Sequence, residues 1–345
     1  MANILILGAG TMGTAFSFPC SDKNHAVTII GTHLENDFID TINSTKKHPG
    51  LGFEVPKNVK FLKFDKLKEE FNKKIDLVVV AVSSKGIEWA SKELSKVLKN
   101  NLSVLLLTKG LSIHKNAYEI LSSKMRRILK KNNVKKINIT SAGGPCLAKN
   151  LANRIHTSVI YANSDIKMAN KIAQLVSTDY YHIHTSKDFI GVEICAAIKN
   201  IFSMIVGASQ GLSQSALSKK LNEDNYLNTA ASLLQQSINE MIIFTEKLKA
   251  KKETVTGLAG IGDLYVSVAG GRNSKMGQYL GQGMTFKEAK KLKMPNDTIE
   301  GADLIFDVGP KILSDFSNKK LPLMRSIVYA LINEKPLVIN WNDFK

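Results

Sequence analysis

Lys199 lies inside the stretch GVEICAAIKNIFSMIVGASQGL (191–212), an apolar, small-residue run in which Ile194, Ile198, Ile201 and Ile205 recur at helical spacing. On such a helix its neighbours one turn away are Cys195, Ala196, Phe202 and Ser203, none of them an acid. Burial there would strip water from the ammonium and favour the neutral amine, the state a proton acceptor needs. The competing reading is a lysine whose head snorkels to solvent. Further along, the glycine-rich run 256–262 ends in the carboxylate of Asp263, and Gly270-Gly271-Arg272-Asn273 offers a guanidinium beside an amide, a natural grip for phosphate oxygens. Asp263 as a plain helix cap and Arg272 as a solvated charge are the structural alternatives.

The elements that must position these groups begin at the N-terminus. Asn3–Leu7 is a short continuous apolar run, as expected of a parallel strand buried on both faces. It leads straight into Gly8-Ala9-Gly10-Thr11-Met12-Gly13, a full G-x-G-x-x-G before a helical pattern. Glycines so placed allow a tight turn, close backbone approach to a pyrophosphate and tight helix–strand packing. A second strand, Ala26–Ile30, ends at Gly31-Thr32-His33, where NAD-specific sites carry an acid for the ribose 2′-hydroxyl. No acid stands at the tip, the first being Glu35, and Thr32 and His33 could tolerate a 2′-phosphate although no Arg is present to hold one, so the reading is NAD or NADP with a lean to NADP. His33 stands equally as a ligand or as a surface histidine.

Residues 34–74 hold a helical pattern, a His48-Pro49-Gly50 turn and a short strand near Val59–Phe64. Ile75–Val82 and Leu102–Leu107 read as further strands, the latter ending in Thr108-Lys109-Gly110, which aims Lys109 at the ligand crevice. A basic helix is expected over Ala117–Asn132, then a strand at Ile137–Thr140 running into Ser141-Ala142-Gly143-Gly144-Pro145-Cys146-Leu147-Ala148. Cys146 is read as a small buried thiol rather than a nucleophile, since no histidine lies in its local pattern. Strands at Thr157–Tyr161 and Tyr180–His184 flank a helix at Ile166–Val176. From Asp188 onwards strand patterns stop and amphipathic helices take over. The expectation is therefore an α/β chain: a Rossmann-type, doubly wound, mostly parallel sheet over 1–187, then an all-helical substrate and catalytic domain over 188–345.

Composition narrows the partners. The 345 residues carry 47 Lys and Arg against 30 Asp and Glu, a net charge of +17. The lysines arrive mostly as pairs such as Lys73-Lys74, Lys130-Lys131 and Lys219-Lys220, without a basic tail, an RNA-binding signature or zinc-finger spacing. Such a field favours an anionic cofactor or a phosphorylated substrate over a nucleic acid. Three scattered cysteines argue against disulfides and a metal site, and the N-terminus lacks secretory features, so a cytoplasmic protein without membrane insertion is expected.

Taken in order, these motifs resemble the NAD(P)-dependent glycerol-3-phosphate dehydrogenases over nearly the whole chain. The series is Gly8–Gly13, Thr108-Lys109-Gly110, Gly144-Pro145-x-x-Ala148, Ala197-Ile198-Lys199-Asn200, Asn228-Thr229-Ala230, Gly257–Leu264, Arg272-Asn273, Glu300-Gly301 and Leu321-Pro322-Leu323. The resemblance implies that Lys199 is the general base, and that Lys109 and Asp263 are the polar groups around the reacting carbon. It implies substrate contacts from Lys109, Gly144, Cys146, Lys199, Asp263, Gly271, Arg272 and Asn273. Cofactor contacts would come from Gly8, Gly10, Thr11, Met12, Gly13, Thr32, Lys109, Ala148, Arg272 and Glu300. The implied reaction interconverts dihydroxyacetone phosphate and sn-glycerol 3-phosphate, feeding glycerophospholipid synthesis. The sequence leaves the oligomeric state open, with a homodimer through the helical half as one possible assembly. Three departures stand out: Cys146 where Ser or Thr is usual, Gly271 where Ser is usual, and Thr32 where Arg or His is common. They leave open a related dehydrogenase of another hydroxy acid or sugar phosphate. A non-enzymatic, nucleotide-dependent sensor is the remaining reading.

Overall fold

The computed structural model describes residues 1–98, 101–216 and 226–344, so the Lys219-Lys220 pair lies outside the described residues. Contacts divide the chain into two compact units, one of residues 1–109 and 120–193, the other of residues 110–119 and 194–345.

The first unit is built on β1 (Asn3–Leu7), β2 (Ala26–Ile30), β3 (Val59–Leu62), β4 (Leu77–Val80) and β5 (Ser103–Leu106). After β6 (Leu111–His114) and β7 (Ala117–Ile120), which pair only with each other, it continues with β8 (Asn138–Gly143), β9 (Thr157–Ala162) and β10 (Tyr181–Ser186). The eight-stranded sheet has the order β10-β9-β8-β5-β4-β1-β2-β3. Strands β3 to β8 across that order run parallel, while β9 lies antiparallel to β8 and carries the parallel β10 on its outer side. Because the chain leaves β1 towards β2 and returns on its other side at β4, the switch point falls at the carboxyl ends of β1 and β4.

Alternation within the central strands explains the two layers of helix. Ile4 and Ile6 face a core shared with α1 (Thr11–Asp22), α2 (Asn36–Thr45), α6 (Ala148–Ala152) and α7 (Ile166–Val176). Leu5 and Leu7 face the opposite core with α3 (Leu67–Glu70), α4 (Ile87–Ser95) and α5 (Leu121–Lys131). Both faces being covered is why these strands read as unbroken apolar runs.

One expected element is different. Residues 117–120 are the strand β7 of a hairpin, and the basic helix starts only at Leu121. Lys115 and Asn116, both at positive φ (48° and 59°), make the two-residue turn between β6 and β7. That hairpin belongs to the second unit.

The second unit is otherwise helical among the described residues. It holds most of α8 (Phe189–Ala216), then α9 (Leu227–Lys247), α10 (Lys252–Thr256), a π-helical turn at Leu258–Gly262, α11 (Asp263–Gly270), α12 (Arg272–Gly281), α13 (Phe286–Leu292), α14 (Glu300–Asp315) and α15 (Pro322–Ile332). Helix α8 is long and apolar enough to cross a membrane by composition, yet 89% of that window is buried inside the protein, as in the central helix of a globular core. It packs on α12 at backbone contact. A Cβ on Gly207 would come within 2.2 Å of the Ser274 carbonyl, and one on Gly277 within 1.9 Å of the Met204 carbonyl.

Candidate functional site

Each unit carries one set of the residues singled out above. In the first, packing within the protein accounts for two glycines of the strand-end loop, and the third faces open space. Gly8 has φ 109°, and a Cβ there would meet the Ala81 carbonyl at 2.7 Å. A Cβ on Gly13 would come within 2.3 Å of the Gly8 carbonyl. Gly10 differs: its φ of −62° and ψ of 173° suit any residue, and the nearest atom to a Cβ is the Glu35 Oε1 at 4.0 Å. Nothing described inside the protein requires a glycine there, and the absence of a Cβ leaves the backbone open to close approach by a ligand. Gly10 also caps α1 with no side-chain partner for the first N–H groups, and Thr11 is exposed beside it. Such a bare helix start is the seat a pyrophosphate takes. The residues present therefore fit a dinucleotide.

Two side chains that the sequence reading does not place in the site hold this loop. His48 is buried, and its Nδ1 accepts the N–H groups of Gly50 and Leu51, so its Nε2–H donates to the Ala9 carbonyl at 3.1 Å. Burial pushes the His48 pKa below the ordinary histidine value, which keeps that neutral tautomer in place. Glu35 reaches back from its turn to accept the N–H of Thr32 at 2.6 Å and that of Ala9 at 3.2 Å, through Oε2 in both cases. An acid from the turn after β2 thus does reach back to the end of that strand. The only local signals are the His-Pro-Gly turn and the acid itself.

Lys109 follows β5 and is half-buried, while Gly144 (φ 101°) and Ala148 follow β8, at the same edge of the sheet as Gly8. Cys146 is half-buried rather than buried, against the α1-side core. His33 lies on the surface with its ring 4.8 Å from that of Trp89.

The second unit gathers the lysine-centred set. The Lys199 side chain is 9% exposed, and its Nζ donates to the Asp263 carboxylate and, at 2.9 Å, to the Ser267 hydroxyl. No acid lies within one turn of this lysine on its own helix; its partner comes from α11. Asp263 is the first helical residue after the π-helical turn and is 1% exposed, so it is an ion-pair partner rather than a cap. Next along α8, the Asn200 amide donates to Glu300 Oε2 at 3.1 Å, and Glu300 Oε1 lies 3.6 Å from an Arg272 nitrogen. Arg272 and Glu300 are both half-exposed, which leaves the guanidinium accessible to an anion. Asn273 is buried and accepts the Gly301 N–H at 2.8 Å, so its amide N–H groups remain the part available for a ligand. Gly271 has a packing reason: a Cβ there would sit 2.4 Å from the Ser267 carbonyl. Met12 and Thr32 are partly buried beside the glycine loop and at the end of β2.

A doubly wound sheet with a glycine cradle at its switch point, joined to a helical unit holding a buried lysine–carboxylate pair, defines the class of two-unit, dinucleotide-linked oxidoreductases. The comparisons narrow the class to one family. The profile described as the NAD-dependent glycerol-3-phosphate dehydrogenase N-terminus matches residues 3–169, and its C-terminus counterpart matches residues 188–339. The chain is 30% identical over 347 residues to the NADP(+)-dependent glycerol-3-phosphate dehydrogenase of Archaeoglobus fulgidus, covering 99% of both chains. It is 29% identical to a glycerol-3-phosphate dehydrogenase [NAD(P)+] of Clostridium tetani, over 90% of this chain and 83% of that one. The fold is shared with the glycerol-3-phosphate dehydrogenase of Coxiella burnetii, at 24% identity and a TM-score of 0.80 over 97% of this chain and 96% of that one. The chain belongs to the NAD(P)-dependent glycerol-3-phosphate dehydrogenase family.

Proposed function

We propose that this protein interconverts dihydroxyacetone phosphate and sn-glycerol 3-phosphate with NADH or NADPH. The observation that carries the residue assignment is the Lys199–Asp263 pair: an ammonium and a carboxylate both withdrawn from water, with Ser267 as the third polar group. A bound nicotinamide cofactor supplies the hydride chemistry. Gly8, Gly10, Thr11, Met12, Gly13, Thr32, Lys109, Ala148, Arg272 and Glu300 are the residues assigned to hold it. In the reducing direction Lys199 delivers a proton to the C2 oxygen, and Asp263 steadies the ammonium before the transfer. Lys109 offers a second positive charge to the developing oxyanion. Arg272 and Asn273 grip the substrate phosphate with Gly144, Cys146 and Gly271 as further contacts, so that binding energy far from C2 is used for orientation.

The product is the backbone of glycerophospholipids, and we place the reaction in the cytoplasm. A homodimer through the helical half is the proposed assembly, supported by apolar side chains exposed there, Tyr265, Leu292, Phe306 and Tyr329 among them. Light scattering on the purified protein tests it. The activity is tested by following NADH and NADPH oxidation in parallel with dihydroxyacetone phosphate, beside a panel of other keto-phosphates and keto-acids. Turnover on dihydroxyacetone phosphate is the expected result; turnover only on another member of the panel, or none at all, would refute the assignment.

A further inference from the structure

Helix α5 carries two faces of opposite kind. Leu121, Met125, Ile128 and Leu129 recur at helical spacing and are buried against the sheet. Ser123, Arg126, Arg127, Lys130 and Lys131 recur at the same spacing on the other side, and they line an open surface cavity of about 500 Å³. Residues 120–164 hold nine Lys and Arg with no Asp or Glu, and seven of the nine fall between Lys124 and Lys136. The acids that act on this face are Glu88 of α4, already paired with Lys92 at 2.7 Å, and Glu193, which is buried. Neither lines the cavity. The attraction of a helix C-terminus for cations accounts for Lys130 and Lys131 in the last turn, but not for Arg126 and Arg127 before it. Like charges crowded on a folded face repel one another, and an anionic partner relieves that repulsion.

The chemistry of the face selects among anionic partners. Single strands of nucleic acid are held by cations interleaved with aromatic platforms, and no aromatic residue stands between Ile120 and Lys136. A protein partner needs apolar anchors at the centre of its interface, and no large apolar side chain of α5 is exposed. A bilayer of anionic phospholipid needs neither, because each cation near its charged surface adds to the binding by itself. We propose that the outer face of α5 is a docking surface for an anionic phospholipid membrane, held there by Arg126, Arg127, Lys130 and Lys131. The contact is peripheral, since the apolar face of the helix is already used by the protein's own core. None of these residues belongs to the dinucleotide cradle or to the lysine-centred set.

The experiment is co-sedimentation of the full chain, without substrate, with vesicles of mixed phosphatidylglycerol and phosphatidylcholine or of phosphatidylcholine alone. One variant combines Arg127→Gln, Lys130→Gln and Lys131→Gln. A control combines Lys287→Gln, Lys291→Gln and Lys293→Gln, which removes the same charge from exposed lysines around α13. The unaltered protein should bind the anionic vesicles at about 0.1 M KCl, leave them at about 0.5 M as the charges are screened, and ignore the neutral ones. The α5 variant should lose about tenfold or more in partition coefficient, because three surface cations are gone, while the control loses less than about threefold. Both should keep the parental melting temperature and the parental rate of dihydroxyacetone phosphate reduction in vesicle-free buffer. Equal losses in the two variants would show that only the net charge of +17 is at work, and would overturn the proposal. So would failure of the unaltered protein to bind anionic vesicles. Retention of duplex DNA at the same ionic strength, lost only in the α5 variant and without vesicle binding, would assign the face to nucleic acid instead and overturn it as well.

Discussion

Two glycines of the same loop with different reasons to be glycine, Gly10 and Gly13, give the sharpest test of the dinucleotide cradle. Gly13 is fixed by the protein itself: a methyl group there would lie 2.3 Å from the Gly8 carbonyl and 3.0 Å from the Ala81 Cβ, both anchored in the sheet. Overpacking of that kind costs about 3 kcal/mol. Alanine recovers about 1 kcal/mol of helix propensity over glycine. Gly13→Ala should therefore lose about 2 kcal/mol, a fall of roughly 4–8 °C in melting temperature for a unit of this size. Gly10→Ala meets no such obstacle, since the backbone is in an ordinary region and the nearest atom is 4.0 Å away. Its stability should match the parent or exceed it by about 0.5 kcal/mol, through the smaller entropy of the unfolded chain. Its dinucleotide affinity should fall about 10- to 100-fold, because the new methyl stands between the helix start and the pyrophosphate. Differential scanning fluorimetry without cofactor separates the two variants, and calorimetry with NADH and NADPH completes the comparison. A Gly10→Ala protein that binds both dinucleotides at parental affinity would show that the open space over Gly10 is not a ligand seat.

The remaining predictions follow from the second unit. Lys199→Ala should lower kcat by about 10²–10⁴-fold in steady-state assays of the folded fraction, and it should also destabilise by about 3–5 kcal/mol in urea melts because Asp263 keeps a buried charge without its partner. Arg272→Ala should raise KM for the phosphorylated substrate with a smaller effect on kcat, and leave stability within about 0.5 kcal/mol, since the guanidinium is half-exposed. Glu240, fully buried in α9, accepts the N–H groups of Leu323 and Met324 at the start of α15, and burial pushes its pKa up to about 7. A carboxyl whose pKa is raised on folding holds its proton more tightly in the folded state, so stability should fall as pH rises from about 4.5 to about 7 and then level off, by about 3 kcal/mol in all for this group. Urea unfolding at a series of pH values checks this, and Glu240→Gln should remove that part of the slope.

What could be read from the chain alone was whatever local pattern decides. β1 and the loop after it are legible because an apolar run and three glycines sit within eleven residues. Helix α7 begins and ends where its apolar spacing says it does. The β6–β7 hairpin was not legible, because its turn uses Lys115 and Asn116 in place of the glycine that normally announces positive φ. The close packing of α8 on α12 left a clearer trace. Gly207 and Gly211 on one helix, and Gly277 and Gly281 on the other, are each one turn apart, and each would clash with the facing backbone if it carried a Cβ.

The lysine-centred set shows how far a motif can mislead about its own mechanism. The glycine-rich run before Asp263 invites a reading as a loop that wraps a ligand. In the structure Gly260 is there because a Cβ would come within 1.9 Å of the Val255 carbonyl, in a π-helical turn pressed against α10. That turn delivers Asp263 at the head of α11, 1% exposed and facing Lys199 from 64 residues away. The glycines therefore serve the acid, and the acid serves the lysine. A carboxylate placed on the same helix as Lys199 would have been visible in the sequence as an i, i+4 pair; one supplied across a helix packing is visible only in the fold.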